Sequence, residues 1–134
     1  MKSQTNGAQF LSYFETHHTE MLEFVRWLVE QESMSREAEA TRRIAENFGD
    51  RLAEIGAAVD LLHDSHYGAT LRARFAPHAA NQSPENQQLL VVGHLDTVWP
   101  LGTLDARPFR VKDGRAYGPG IFDMKAGVTI ATTK

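Results

Sequence analysis

Gly56 divides the chain into two kinds of pattern, and that change constrains the fold more than any other feature. Before it, apolar residues recur every three or four positions. After it, they alternate with polar ones. The first spacing is the stripe of an amphipathic helix, and the second is one face of a strand. A chain written in both must pack helices and sheet in layers around one core. Phe10, Leu11, Phe14, Met21, Leu22, Val25, Leu28 and Val29 predict a long helix, with Phe24 and Trp27 widening its buried face. Residues 31–35 break the stripe and offer Ser33 or Ser35 as a cap for the next helix. That helix carries Ile44, Phe48, Leu52 and Ile55 on its apolar side. Gly56 falls where a helix-ending glycine belongs.

Beyond Gly56, Val59 and Leu61 flank Asp60, and Leu71, Ala73 and Phe75 alternate with Thr70, Arg72 and Arg74. Two half-buried strands are expected, with Arg72 and Arg74 on the solvated face. Residues 77–88 are rich in Asn, Gln, Ser and Pro and read as an exposed loop. Leu89, Leu90, Val91, Val92 and Gly93 are apolar on both faces, which predicts a central strand covered by helices on each side. A last helix is expected from Asp123, lined by Met124, Val128, Ile130 and Ala131. It has no closing glycine and only about three turns, marginal without packing partners. The chain is therefore expected to be interrupted at Lys134.

The 134 residues fit one domain, with residues 1–9 expected to be flexible and 10–134 to form the folded part. A net charge of −3 gives no reason to expect nucleic acid or an anionic membrane as a partner. The absence of cysteine excludes disulfides and thiolate metal sites, so any metal must be held by His, Asp or Glu. The first residues carry no apolar stretch of the kind a secretory leader needs, and no apolar run reaches membrane-spanning length, so no leader and a cytoplasmic location are expected.

Chemistry concentrates at the end of the expected strand. His94 and Asp96 are two apart, so extended backbone projects both to one side. In open α/β sheets that side opens into the ligand crevice. An imidazole that binds zinc through one nitrogen needs a carboxylate or carbonyl to hold the other N–H, a role that suits Asp96. Asp123 follows the turn Gly118-Pro119-Gly120 and suits either a helix cap or a metal ligand. Taken singly, His-x-Asp is common and Gly-Pro-Gly is just a turn. Other candidates are weaker. His17 and His18 read as solvated helix residues, and His63, Asp64 and His66 as a polar turn. His78 and the glycosylation-type triplet at Asn81 lie in the polar loop. Gly118-x-Gly120 and Lys125 complete no phosphate-binding motif.

The ordered combination is more specific: Gly93-His94-Leu95-Asp96-Thr97-Val98, Trp99-Pro100, Pro108-Phe109, Asp113-Gly114, Tyr117-Gly118-Pro119-Gly120, then Asp123-Met124-Lys125 and Gly127. It resembles the first metal-binding region of the zinc metallohydrolases that include aminoacylases, acetylornithine deacetylases, succinyl-diaminopimelate desuccinylases and glutamate carboxypeptidases. Trp99-Pro100 and Pro108-Phe109 are most similar to the last branch. The resemblance implies an α/β catalytic domain of zinc-exopeptidase type, with a mixed sheet between helices. The chain is expected to hold only the N-terminal part of that domain, truncated after the helix that starts near Asp123. It implies two zinc ions, for which cobalt substitutes, with His94 on one, Asp123 bridging both, and Asp96 as the catalytic residue that orients His94. It also implies a cis peptide bond after Asp123, an amide or peptide as the small-molecule substrate (an N-acyl amino acid or a C-terminal glutamate), and a homodimer for the complete protein.

The same resemblance implies parts that these residues do not supply: a Glu-Glu pair carrying the general base, two further ligands, and an inserted lid and dimerisation domain. Glu37, Glu39 and Glu85 are not placed to substitute. Loss of a general base typically lowers a rate about 10²–10⁴-fold, and two protein ligands fall short of the usual zinc set. The 134 residues alone are therefore expected to bind zinc weakly and to hydrolyse essentially nothing. Two other readings stay open. One is a non-catalytic remnant that associates with itself or binds metal. The other is an unrelated α/β binding module in which His94 and Asp96 only hydrogen-bond.

Overall fold

The computed structural model describes residues 4–76 and 89–133. In chain order the elements are α1 (Gln4–Thr16), α2 (His18–Val29), α3 (Ala38–Glu54), β1 (Ala58–Asp64), β2 (Gly68–Arg74), α4 (Thr103–Ala106), β3 (Arg110–Lys112), β4 (Arg115–Tyr117) and α5 (Ala126–Thr132). The mixture is α/β, as the change of period at Gly56 requires. The expected polar loop at 77–88, with His78, Asn81 and Glu85, lies outside the described residues.

The expected first helix is two. The chain bends at His17, whose Nδ1 lies 2.8 Å from the Tyr13 carbonyl oxygen and whose ring stacks on Tyr13. Residues 4–9, expected to be flexible, are the first turns of α1. Phe10 and Leu11 of α1 remain exposed, so the helix's apolar positions contribute little to the core. α2 and α3 carry it instead. Leu28, Ile44, Phe48, Leu52 and Val128 form the buried cluster, and Phe24, Trp27, Val59, Leu71, Ala73, Leu95 and Met124 pack around it. Each fully buried aliphatic or aromatic side chain contributes roughly 1.5–3 kcal/mol. Arg51 lies over both Phe24 and Trp27, 4.7 and 4.8 Å from their ring centres, and roofs the exposed edge of that cluster.

Gly56 ends α3 at φ 98, the left-handed geometry expected of it. β1 and β2 then pair antiparallel from Ala58↔Arg74 to Asp64↔Gly68. Val59, Leu71 and Ala73 face α3, while Arg72 donates to Asp60 across the ladder at 2.9 and 3.1 Å on the solvent side. The turn closes on Asp64, whose Oδ1 accepts the His66 and Tyr67 amides. Those contacts account for the His63–Asp64–His66 cluster as a polar turn. Gly68 has φ 90, and a Cβ there would run into Thr41 Oγ1 and the Ala38 carbonyl. That close approach lets Thr41 donate to the Tyr67 carbonyl at 2.8 Å and lock the hairpin to α3.

Three expectations need correction. Residues 89–93 do not form a buried central strand. No strand pairs with them among the described residues, and Leu89, Leu90, Val91 and Val92 are 63–91% exposed. Apolar alternation on both faces selects a strand only where neighbours supply the ladder, and here none does. Ser33 and Ser35 do not cap α3. Its first turn follows Glu37 with no side-chain cap, and both hydroxyls turn toward residues 95–97. In α5 the buried residues are Val128 and Thr129, with Ile130 half exposed. The helix starts at Ala126, three residues later than expected, because Asp123 and Met124 have non-helical backbone.

Candidate functional site

The loop between α2 and α3 organises the site. Residues 33–35 run extended beside 95–97 in a parallel bridge: Thr97 N donates to Ser33 O at 2.8 Å and Ser35 N to Thr97 O at 2.7 Å. Ser33, itself buried, donates to the Leu95 carbonyl at 2.8 Å. The chain leaves this bridge through Arg36 at φ 71 and enters α3. Leu95 points into the core, so the residues on either side of it, His94 and Asp96, face outward into the same cleft.

The second wall arrives through tight geometry. Gly118-Pro119-Gly120 passes close to α2. A Cβ on Gly118 would approach Val29 Cγ1 to 2.8 Å, and Gly120 has φ 74. Residues Ile121–Lys125 then form one wide turn, with Lys125 N donating to Gly120 O, and run into α5. Within the turn the Asp123–Met124 peptide is cis, as the resemblance implies. Met124 packs inward against Gly93 and the core, which sends Asp123 outward toward His94.

The three site residues meet. His94 Nε2 lies 2.9 Å from Asp123 Oδ1. His94 Nδ1 lies 3.0 Å from the Asp96 carbonyl and 3.1 Å from Asp96 Oδ1. All three side chains are open to solvent, Asp123 most of all at 81%. Partial burial pulls the His94 pKa down. The hydrogen bond to Asp123, the Asp96 carbonyl and the two carboxylate charges outweigh it and hold the pKa above the ordinary histidine value. The residues border an open cleft of about 480 Å³ shared with Ser35, Trp99 and Phe122. Phe122 is fully exposed on its rim.

The donor chemistry fits a divalent cation of zinc type. An imidazole nitrogen and a carboxylate oxygen converge, and the opposite imidazole nitrogen is held by a carbonyl and a carboxylate. Asp96 stands on the far side of the ring from Asp123. Among the described residues no group of three or more His, Asp or Glu side chains closes on one point.

Two residues that support this geometry have no signal as site residues in the sequence. Lys125 is buried beneath the cleft, where its Nζ donates to the Leu28 and Gln31 carbonyls at 2.7 and 2.9 Å. Burial pulls its ammonium down to about 8, against the opposing charges of Glu32 and Asp96. Glu32 accepts the amides of Gly102 and Leu104 at 2.8 and 3.1 Å and anchors the start of α4. Arg26 lies over the Phe109 ring and Arg107 over Trp99, which fixes the Trp99-Pro100 and Pro108-Phe109 surroundings.

Residues 90–133 match the family described as Peptidase family M20/M25/M40. Carboxypeptidase G2 of Pseudomonas sp. (strain RS-16) is 51% identical over 41 residues, which cover 31% of this chain and 10% of that protein. The match spans about a tenth of its relative's length. The family match falls on the segment that carries His94, Asp96 and Asp123.

Proposed function

From the premise that residues 90–133 are a segment of Peptidase family M20/M25/M40, on the glutamate carboxypeptidase side, we propose that this chain carries one wall of a two-zinc amide-hydrolysing site. Residues 10–134 are then the N-terminal portion of a metallopeptidase catalytic domain. His94 and Asp123 would hold the ions, and Asp96 would orient His94. One observation carries the reading: His94 presents Nε2 to Asp123 while Asp96 occupies Nδ1.

A zinc ion held there supplies Lewis acidity toward an amide carbonyl and a water molecule. The protein's own part is positional. Asp96 accepts from Nδ1, fixes the tautomer with Nε2 free for a ligand, and makes the imidazole a better donor. The open cleft admits an acyl amino acid or the end of a peptide, with a C-terminal glutamate among the substrates that the resemblance implies. The cleft's lining carries two carboxylates, Asp96 and Asp123, both already occupied with His94. The 134 residues by themselves are therefore expected to bind metal weakly and to leave amides intact.

Calorimetric titration with zinc tests the ligand assignment. Binding that His94→Ala and Asp123→Ala each remove supports it, and binding that neither substitution changes overturns it. A second reading, self-association, is favoured by the exposure of Leu89–Val92 as one apolar run. Sedimentation that shows a single monomeric species across concentration argues against that second reading.

A further inference from the structure

Asp96 can fix the His94 ring only if its own carboxylate is fixed. A carboxylate with one partner swings about its last torsion, whereas one with both oxygens engaged does not. Oδ1 of Asp96 faces His94 Nδ1 at 3.1 Å, and Oδ2 accepts the Ser35 hydroxyl at 2.6 Å. The second contact is short even for a hydroxyl donating to a carboxylate, where charge assistance strengthens the bond. Ser35 Oγ also lies 3.1 Å from the Thr97 carbonyl, but the Ser35 backbone amide already serves that oxygen at 2.7 Å. The one hydroxyl proton is therefore best used on Asp96.

The placement follows from the backbone. Residues 33–35 are extended beside 95–97, so the serines at positions 33 and 35 fall on one side and both hydroxyls reach across. Ser33 is spent on a main-chain carbonyl and holds the loop. Ser35 reaches past the main chain to the carboxylate that faces His94.

We propose that Ser35 is a positioning residue of the site: its hydroxyl clamps Asp96 Oδ2, so that Asp96 Oδ1 holds His94 Nδ1 and turns Nε2 toward Asp123. The inference rests on the metal-site reading of His94 and adds one link outward from it. It extends the role of the loop between α2 and α3 from holding the main chain of residues 95–97 to orienting a side chain of the site.

The test uses the full chain with Ser35→Ala and the near-isosteric Ser35→Cys, whose thiol is a weak donor. Two readouts are taken. One is the zinc dissociation constant. The other, on metal-free protein, is the 15N shift and solvent-exchange rate of the His94 Nδ1–H. The expected result is about tenfold weaker zinc binding, the scale at which partners beyond the ligands act, and a shifted, faster-exchanging Nδ1–H in both variants. Both effects should vanish when Ser35→Ala is made in an Asp96→Ala background. Wild-type values in Ser35→Cys, or an effect that persists without Asp96, would overturn the proposal, because Ser35 would then act through packing or the backbone. If zinc binding proves indifferent to His94→Ala, the metal reading fails. The Nδ1–H measurement on metal-free protein still decides the role of Ser35.

Discussion

Residues 38–74 and residues 89–133 are built on different principles. The first region is held by its own regular structure: a long helix, a seven-pair antiparallel ladder, and apolar side chains from each buried against the other. The second has short elements and a long exposed apolar run. It reaches the core through Leu95, Met124 and Val128. Its position is otherwise set by polar contacts to the end of α2 and the loop after it: Ser33 and Ser35 to residues 95–97, Glu32 to the start of α4, and the Leu28 and Gln31 carbonyls to Lys125. The region that carries chemistry thus borrows its geometry from the end of α2 and the loop that follows it. Its tethers are directional, and directional contacts fix a side chain's orientation where apolar packing fixes only its place.

The largest effect should come from the shared core. Ile44 is 1% exposed and sits between α3 and the rest of the cluster. Ile44→Ala should cost about 2–5 kcal/mol. Because Val128 of the second region joins the same cluster, urea unfolding should show both regions lost in one transition. Two separated transitions would show that the regions do not share a core.

Lys125→Met should come next, at roughly 1–3 kcal/mol, since it leaves two carbonyls at the end of α2 without their donor. Met keeps most of the stem's volume, so the loss isolates the ammonium contacts. Hydrogen exchange should quicken across 118–132 and stay unchanged in β1 and β2. Uniform quickening would mean that the tether supports the whole fold rather than the second region.

The parts legible in the sequence are those where one residue's pattern decides its own environment. The stripe of α3, the glycine after it and the alternation of β1 and β2 are local, and the structure follows them. His94, Asp96 and Asp123 stand out in the sequence by order and spacing, and the structure brings both carboxylates within hydrogen-bonding distance of His94. Residues 89–93 were misread because a strand depends on partners that its own sequence does not specify. Ser35 and Lys125 were missed because their partners are 61 and more than 90 residues away. The only local trace was the alternation of Ser33 and Ser35, and a cap explained it equally well. Lys125 carries no local signal of its burial, because nothing nearby shows that two carbonyls at the end of α2 await it.

A smaller effect is expected at Glu32. The hydrogen bond from the Gly102 amide, helped by those of Leu104 and Thr103 and by the charge of Lys125, holds its carboxyl below the ordinary glutamate value despite partial burial. A carboxylate with a lowered folded pKa contributes stability at pH above its unfolded pKa. That contribution is lost as pH falls through the folded value. Wild-type stability should therefore decline with acid below the usual glutamate range, and Glu32→Gln should flatten that part of the curve. At neutral pH the substitution should cost about 0.5 kcal/mol, the low end for a capping contact because the site is open to solvent. A pH profile unchanged by Glu32→Gln would show that these amides do not depend on the charge.

The smallest effect is the sharpest test of the comparison. If Leu90 and Val92 are as exposed as 82% and 78%, replacing both by Thr removes almost no buried surface. Thr also keeps the extended preference of the backbone there. The change in unfolding free energy should stay within about 0.5 kcal/mol, the range for surface substitutions. Ile44→Ala also loses apolar atoms, but at a buried position, so the contrast between the two shows what burial contributes. Sedimentation of the same double variant adds a second readout. Under self-association through residues 89–92, the wild type sediments faster as concentration rises and the variant does not. A loss of more than about 1 kcal/mol in dilute monomer would mean that residues 89–92 are covered by other parts of the chain. In that case the second region has an apolar anchorage of its own, and the contrast between the two regions is one of degree.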